Sequence, residues 1–295
     1  MEKNMINLTI DNIPVTVPAG TTILEAARAA GIKIPSLCFL KDINEIGACR
    51  ICVVEVKGAR SLVASCVYPV NEGMVVFTNT ERVRHSRRLT MELILSNHRM
   101  DCLTCPRNTN CELRQLASDL GIDTVRYAGD NIPPQIEDSA LHLVRDNSKC
   151  VLCRRCVSVC RKLQSVGVIG PNERGFMTHI GSAFDRDLAE VDCVSCGQCI
   201  AVCPTGALSE KDSTAEVLAA LADPTKHVVV GPAPSVRVGL MSNCGVAAKM
   251  FEALYEAGIN IQMINTSEIR VSVLLDEEDV NRAVKAVHAK FFDEV

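Results

Sequence analysis

Two cysteine runs carry most of the chemistry open to this sequence. Cys150, Cys153, Cys156 and Cys160 follow the spacing C-x2-C-x2-C-x3-C, and Cys193, Cys196, Cys199 and Cys203 repeat it, with Pro204 after the last. A tight turn at that spacing presents three thiolates to three corners of a [4Fe–4S] cube. It also aims backbone N–H groups at the sulfides, which lowers the negative charge there. In paired runs of this kind the fourth thiolate of each ligates the cube of the other. One cube is therefore assigned Cys150, Cys153, Cys156 and Cys203, and the other Cys193, Cys196, Cys199 and Cys160. Gly197 suits the turn in the second run. The first run has Arg161 where the second has Pro204, a departure that leaves the ligand count intact. Zinc sites built from the CxxC units would leave ligands over from so regular a set.

A second group, Cys38-x10-Cys49-x2-Cys52-x13-Cys66, has one close pair and two distant partners. That arrangement suits a [2Fe–2S] rhomb rather than a compact cube, although it is not the plant-type C-x4-C-x2-C spacing. The third group is Cys102-x2-Cys105-x5-Cys111, with His98 four residues ahead of it. By itself such a histidine reads as an ordinary surface or core residue. The segment Gly47-Ala48-Cys49-Arg50-Ile51-Cys52 resembles the N-terminal domain of three groups of proteins: [FeFe]-hydrogenases, the large peripheral iron–sulfur subunit of respiratory complex I, and the small diaphorase subunit of NAD-reducing hydrogenases. Those groups hold a [4Fe–4S] cluster on one histidine and three cysteines in the same pattern. The resemblance thus implies that His98, Cys102, Cys105 and Cys111 are ligands. Neutral imidazole in place of a thiolate removes one negative charge, which should raise the potential relative to an all-cysteine cube in a similar setting. The expected cofactors are one [2Fe–2S] and three [4Fe–4S] clusters on fifteen of the sixteen cysteines and one histidine, with Cys244 left out.

Short elements must position these ligands. Leu8, Ile10, Ile13, Val15 and Val17 predict two strands around the turn Asp11-Asn12, with Pro14 marking an edge. Thr22 and Glu25 form a capping-box pattern that opens a helix ending at Gly31, and residues 51–56 and 74–78 supply further strands. Over residues 81–97, Val83, Leu89, Leu93 and Ile94 predict a helix that delivers His98. Its arginines Arg82, Arg84, Arg87 and Arg88 are expected on a solvated face. The stretch 129–138 reads as a connector, and a second capping box, Ser213 with Glu216, opens a helix that stops near Asp223-Pro224.

The composition agrees with small modules stabilised by something other than bulky side chains: aromatic residues make up 3% and tryptophan is absent. Sixteen cysteines without an apolar segment after the N-terminal charges point to reduced, metal-bound thiols rather than disulfides. The net charge of -4 offers no case for nucleic acid, and no apolar stretch approaches the roughly 20 residues needed to span a bilayer.

From residue 1 to about 222, the order of modules resembles the accessory iron–sulfur part of [FeFe]-hydrogenases and the diaphorase small subunit. The segment His227 to Gly239 further resembles the opening of the hydrogenase catalytic domain. Only one cysteine follows position 203, whereas an H-cluster needs four protein thiolates, so the active site is expected in another polypeptide. Over residues 241–292, Gly245 to Leu254, Ala257 to Ile264 and Thr266 to Ser272 resemble the C-terminal ACT domain of aspartate kinases. Val246, Met250 and Leu254 make a helix stripe, Ile259–Ile264 and Ile269–Leu275 a strand pair, and residues 277–291 a second helix. With Val228–Val230 or Val236–Leu240 as the opening strand, this is a ferredoxin-like βαββα layer. Cys244 stands near that first helix as a packed thiol.

The fold class is α+β. The expected modules are a β-grasp [2Fe–2S] domain (1–80), a His-ligated [4Fe–4S] domain (81–122), a two-cluster bacterial ferredoxin domain (123–222) and the ACT-like domain (223–295). No Gly-rich dinucleotide fingerprint follows a strand, so a nucleotide site belongs to a partner. The resemblance implies an electron-relay subunit of a cytoplasmic oxidoreductase. Its partners would be a flavin/NAD(P)-binding subunit with its own iron–sulfur centres, and ferredoxin or another catalytic subunit. Electron bifurcation is one version of such a complex. In this reading the ACT-like domain docks or dimerises. The alternative is a regulatory protein whose clusters sense redox state and whose tail senses an amino acid.

Overall fold

The turn at Asp11-Asn12 closes the hairpin expected of it. In the computed structural model, β1 (Met5–Ile10) and β2 (Ile13–Pro18) pair antiparallel from Ile10↔Ile13 outward. Asp11 and Asn12 both take positive φ, 47° and 67°, the type I′ geometry that matches strand twist. The Asp11 carboxylate then accepts from Thr78 N at 2.7 Å and from the Thr78 hydroxyl, tying the turn to the segment that follows the neighbouring strand. Residues 4–129, 136–226, 228–229, 246–259, 263–267, 270–274 and 279–292 are described.

Three further strands complete the first sheet: β3 (Val53–Val56), β4 (Val63–Ala64) and β5 (Val75–Phe77), in the order β2-β1-β5-β3-β4. Pro14 and Pro18 thus lie on an edge strand, where a missing donor costs nothing. Helix α1 (Ile23–Ala29) covers the sheet. Thr22 caps it by accepting from Glu25 N at 3.3 Å, and Gly31 turns the chain away at φ 74°. Leu8, Ile10, Val15, Val17, Ile23, Leu24, Val54 and Val76 form the core, and Cys52 and Cys66 are buried within it.

Helix α2 (Glu81–Ser96) starts at Thr80, whose side chain accepts from Val83 N at 3.3 Å and donates to Glu55 at 2.7 Å. Its buried face differs from the expected one. Val83, Arg87, Met91, Glu92 and Leu95 point inward, while Leu93 is 52% exposed. Arg87 is no solvated residue: it is 6% exposed and donates to Val53 O at 2.7 Å. Met91 and Leu95 join Leu37, Ile51, Leu113 and Leu116 in a second core that also takes in Cys38, Cys49 and Cys153. This core crosses the module borders expected at residues 80 and 122, and Met1–Asp212 packs as one unit. It includes α3 (Glu112–Asp119), α4 (Arg155–Ser158), α5 (Gln198–Ala201), the hairpin β8 (Ile169–Asn172) and β9 (His179–Ser182), and a sheet of β6 (Ile136–Glu137), β7 (Leu143–Asp146) and β10 (Leu208–Glu210) in the order β10-β7-β6.

Ser213–Val295 form the second unit, which begins ahead of α6 (Thr214–Ala222) rather than after it. The expected capping box does not form: Ser213 has φ -105° and ψ 15° and its side chain makes no cap bond. The helix stops where Pro224 demands it, with Asp223 extended at ψ 109°. Beyond it lie α7 (Val246–Glu256), β11 (Met263–Ser267), β12 (Arg270–Leu274) and α8 (Val280–Phe292). β11 and β12 pair antiparallel, and Leu254, Ile259 and Ala283 are buried together. The proposed opening strands and Cys244 fall outside the described residues, apart from Val228 and Val229, which form no strand.

Candidate metal centres

Cys38, Cys49, Cys52 and Cys66 are all buried, on loops around the start of β3 and the end of β4. Gly47 and Arg50 take left-handed φ, 61° and 56°, and bend the chain so that Cys49 N lies 3.5 Å from Cys38 Sγ. The four thiols contend for protons. Hydrogen bonds from Cys49 and Cys66 lower Cys38, and a hydrogen bond from Cys66 lowers Cys52 to about 6. The same contacts, with burial, raise Cys49 and Cys66. Contacts between Cys38 and Cys49, Cys38 and Cys66, and Cys52 and Cys66 link the four buried thiols in a chain, and a shared cationic centre would take up the charge that none of them can hold alone. Ser65 braces the loop by donating to Cys52 O at 2.7 Å. Burial lowers the nearby Arg87 to about 10, opposed by the Cys52 thiol.

The two long runs share a backbone device. Leu152 and Arg154 in the first, and Ser195 and Gly197 at the equivalent places in the second, adopt φ of 52°, 59°, 55° and 69°. Such conformations are strained for side chains other than glycine and collect at functional sites. In the first run Leu152 N is thereby turned to within 3.4 Å of Cys150 Sγ. A short helix follows each turn, α4 after Arg154 and α5 after Gly197. Two cavities result. Cys150, Cys153, Cys156 and Cys203 line one; Cys193, Cys196, Cys199 and Cys160 line the other. Each cavity takes three cysteines from one run and the fourth from its partner. Burial pushes Cys150 up to about 11, Cys153 to about 12, Cys199 to about 11 and Cys156 well above the thiol range. Free thiols there would stay protonated and inert, whereas a bound cation deprotonates its thiol ligands outright.

The third set meets the second run from outside. Cys111 starts α3 and Cys102 opens a single 3-10 turn. Burial raises Cys111, to which the charges of Cys105 and Cys102 add. Cys111 Sγ is 3.8 Å from Pro204 O, Glu112 N donates to the same carbonyl at 3.0 Å, and Arg107 donates to Ile200 O at 2.7 Å. Gly206 closes the wall: a Cβ there would stand 2.5 Å from Cys105 Sγ. His98 sits just past α2, 8% exposed, with no hydrogen-bond partner on Nδ1. Burial, helped by Lys149, holds its imidazole below the usual range, so a neutral nitrogen is ready to bind a metal. The structure places it beside Asp101, the neighbour of Cys102, by charge interaction.

Several residues here carry no motif. Asn44 is fully buried; its Nδ2 donates to Cys38 O at 2.7 Å and Cys153 O at 3.0 Å, and its Oδ1 accepts from Ser158 Oγ at 2.7 Å. It thereby links the first cysteine set to the long runs. Gly206, three residues past Cys203, had a positional signal; Asn44 and Arg87 had none.

Cysteine sets gathered in this way define a multi-cluster iron–sulfur protein. Residues 3–81 match the 2Fe-2S iron-sulfur cluster binding domain, 87–126 the NADH-ubiquinone oxidoreductase-G iron-sulfur binding region, 149–207 the 4Fe-4S dicluster domain, and 236–291 the ACT domain. The chain is homologous to subunits of NAD(P)-reducing hydrogenases and of complex I. It is 43% identical over 268 residues to NADP-reducing hydrogenase subunit HndD of Solidesulfovibrio fructosivorans, covering 87% of this chain and 46% of that protein. It is 33% identical over 208 residues to the mitochondrial NADH-ubiquinone oxidoreductase 78 kDa subunit of Candida albicans, covering 70% of this chain and 28% of that one. Among solved structures, NAD+-reducing [NiFe]-hydrogenase in the H2-reduced state superposes with a TM-score of 0.66 at 28% identity, covering 70% of this chain and 88% of that one. The chain thus spans less than half the length of these two curated relatives. Among the described residues, no helix is long and apolar enough to cross a membrane.

Proposed function

We propose that this chain is the electron-relay subunit of a cytoplasmic NAD(P)-linked oxidoreductase. It would pass single electrons between a flavin/NAD(P)-binding subunit, with iron–sulfur centres of its own, and ferredoxin or another catalytic subunit. The observation that carries this reading is the pair of cavities, each lined by three cysteines of one run and the fourth of the other. Cys150, Cys153, Cys156 and Cys203 would hold one [4Fe–4S] cube, and Cys193, Cys196, Cys199 and Cys160 the other. Cys38, Cys49, Cys52 and Cys66 would hold the [2Fe–2S] cluster, and His98, Cys102, Cys105 and Cys111 a third [4Fe–4S] cluster. Bound there, the clusters supply one-electron chemistry that side chains alone lack. Continuity supports the relay: Asn44 ties Cys38 to Cys153, and Pro204 and Gly206 tie the His98 set to the second run. We read the five-stranded sheet and α1 as a β-grasp layer and residues 223–295 as a βαββα layer that docks or dimerises. The test is anaerobic purification of the complex, an iron count, and NAD(P)H-dependent reduction of ferredoxin or viologen. Roughly fourteen irons per chain are expected from one two-iron and three four-iron clusters. A count far below that refutes the relay.

A further inference from the structure

Strand β7 carries an arginine that the ligand assignment leaves unexplained. Arg145 is 6% exposed, and its Nε and Nη1 have no hydrogen-bond partner. Its Nη2 lies 3.9 Å from Glu137 Oε2, too far for a hydrogen bond. A guanidinium cannot shed its charge, so unpartnered N–H groups in an apolar core are costly unless a ligand accepts from them. The site tells which ligand. Arg145 lines both cysteine cavities, and the one other residue common to the two is Leu208, its cross-strand partner. One apolar residue and one cation are thus common to both cavities.

We propose that Arg145 is a hydrogen-bond donor shared by the two cubes. Its free N–H groups would donate to sulfur of either cube, and its charge would favour the reduced, more negative state of each. The inference rests on the cluster assignment above and adds a role for a residue outside it. Hydrogen bonds to sulfur and local charge are established levers on cluster potential. Arginine suits the position because its fork presents donors in two directions, whereas a lysine ammonium is a point charge. The effect belongs to the pair: both potentials rise together, so the step from one cube to the next keeps its size.

The test is an EPR-monitored redox titration of the anaerobically purified complex carrying wild-type chain, Arg145→Met or Arg145→Lys, with iron counted in each. In Arg145→Met, both cubes should favour reduction about tenfold less, a fall of about 59 mV for a one-electron couple. The [2Fe–2S] and His98 centres should not move. Arg145→Lys should restore one cube at most. At full iron, no shift in Arg145→Met, a shift in one cube alone, an equal shift in all four centres, or two wild-type potentials in Arg145→Lys overturns the proposal. Should the variants lose iron, wild-type protein grown on arginine labelled with 15N in the guanidinium decides. Nitrogen couplings to both cubes in pulsed EPR support the proposal, and their absence refutes it. A wild-type chain lacking eight of its roughly fourteen irons would instead refute the cluster assignment itself.

Discussion

Replacing Gly206 by alanine puts one methyl group against the third cysteine set. The new Cβ would stand 2.5 Å from Cys105 Sγ, whereas unbonded heavy atoms settle at roughly 3.5–4.0 Å. One side must therefore give way by about 1 Å or more. The backbone of residue 206 is poorly placed to do so. Thr205 before it is 1% exposed and bonded through its hydroxyl to Lys149 O at 2.8 Å, and Ala207 O after it accepts from Asp146 N at 2.9 Å. Cys105 must turn aside instead. Distances in a working metal site hold to about 0.2 Å, so a displacement this large would remove the thiolate from the ligand set proposed for it. The expected result is a chain with about ten irons instead of about fourteen, lacking the EPR signal of one four-iron centre and keeping the rest. Iron analysis and low-temperature EPR on anaerobic protein read this directly, with Cys105→Ala as the reference. If Gly206→Ala keeps full iron and a wild-type spectrum while Cys105→Ala loses four irons, the steric reasoning is wrong. If Cys105→Ala is also intact, Cys105 is not a ligand.

Four further outcomes follow from the same structure. His98→Ala should perturb the EPR signal of one centre and leave the other three; an unchanged spectrum removes His98 from the ligands. Asn44→Leu gives up two buried hydrogen bonds and one part-buried one at about 1 kcal/mol each, so denaturant titration should show a loss of about 3 kcal/mol, and an unchanged midpoint would show Asn44 to be dispensable. Thr80→Ala removes the cap of α2 and should cost about 1 kcal/mol in the same titration. Burial alone would lower the His179 imidazole, but the Met177 carbonyl and the Asp185 carboxylate at 2.8 Å outweigh it and hold the group above its ordinary value. A raised histidine stabilises fully below about pH 6.5 and loses that contribution as pH climbs through the raised value. The gap in thermal midpoint between wild type and His179→Gln should therefore narrow as the pH rises above about 6.5; a constant gap would count against the ion pair.

What could be read before folding was whatever is local. The turn at Asp11-Asn12, the Thr22 cap and the stop at Pro224 are each decided within a few residues, and each stands where expected. The buried face of α2 was not legible. Hydrophobicity favoured Leu93, but Arg87 turns inward because Val53 O accepts from it at 2.7 Å, a partner 34 residues away. Asn44 meets Cys153 across 109 positions, and Arg145 gains its meaning from two cavities assembled out of separate runs. The Ser213 cap failed for the opposite reason: a correct local pattern does not oblige the side chain to make the bond. The left-handed turn was announced in one run by Gly197 and hidden in the other behind Arg154.

The four residues Cys203 to Gly206 bear on how such a chain is made. With the ligand exchange proposed above, the cube begun by Cys150, Cys153 and Cys156 waits for Cys203, and the wall beside Cys105 and Cys111 waits for Pro204 and Gly206. Synthesis runs from the N-terminus, so iron cannot be sealed into these sites one module at a time as each emerges. A single late turn closes them, and these two sites are completed together near the end of the first unit's translation. A ribosome stalled before residue 203 would release a chain with most of its thiols in place and those sites still open.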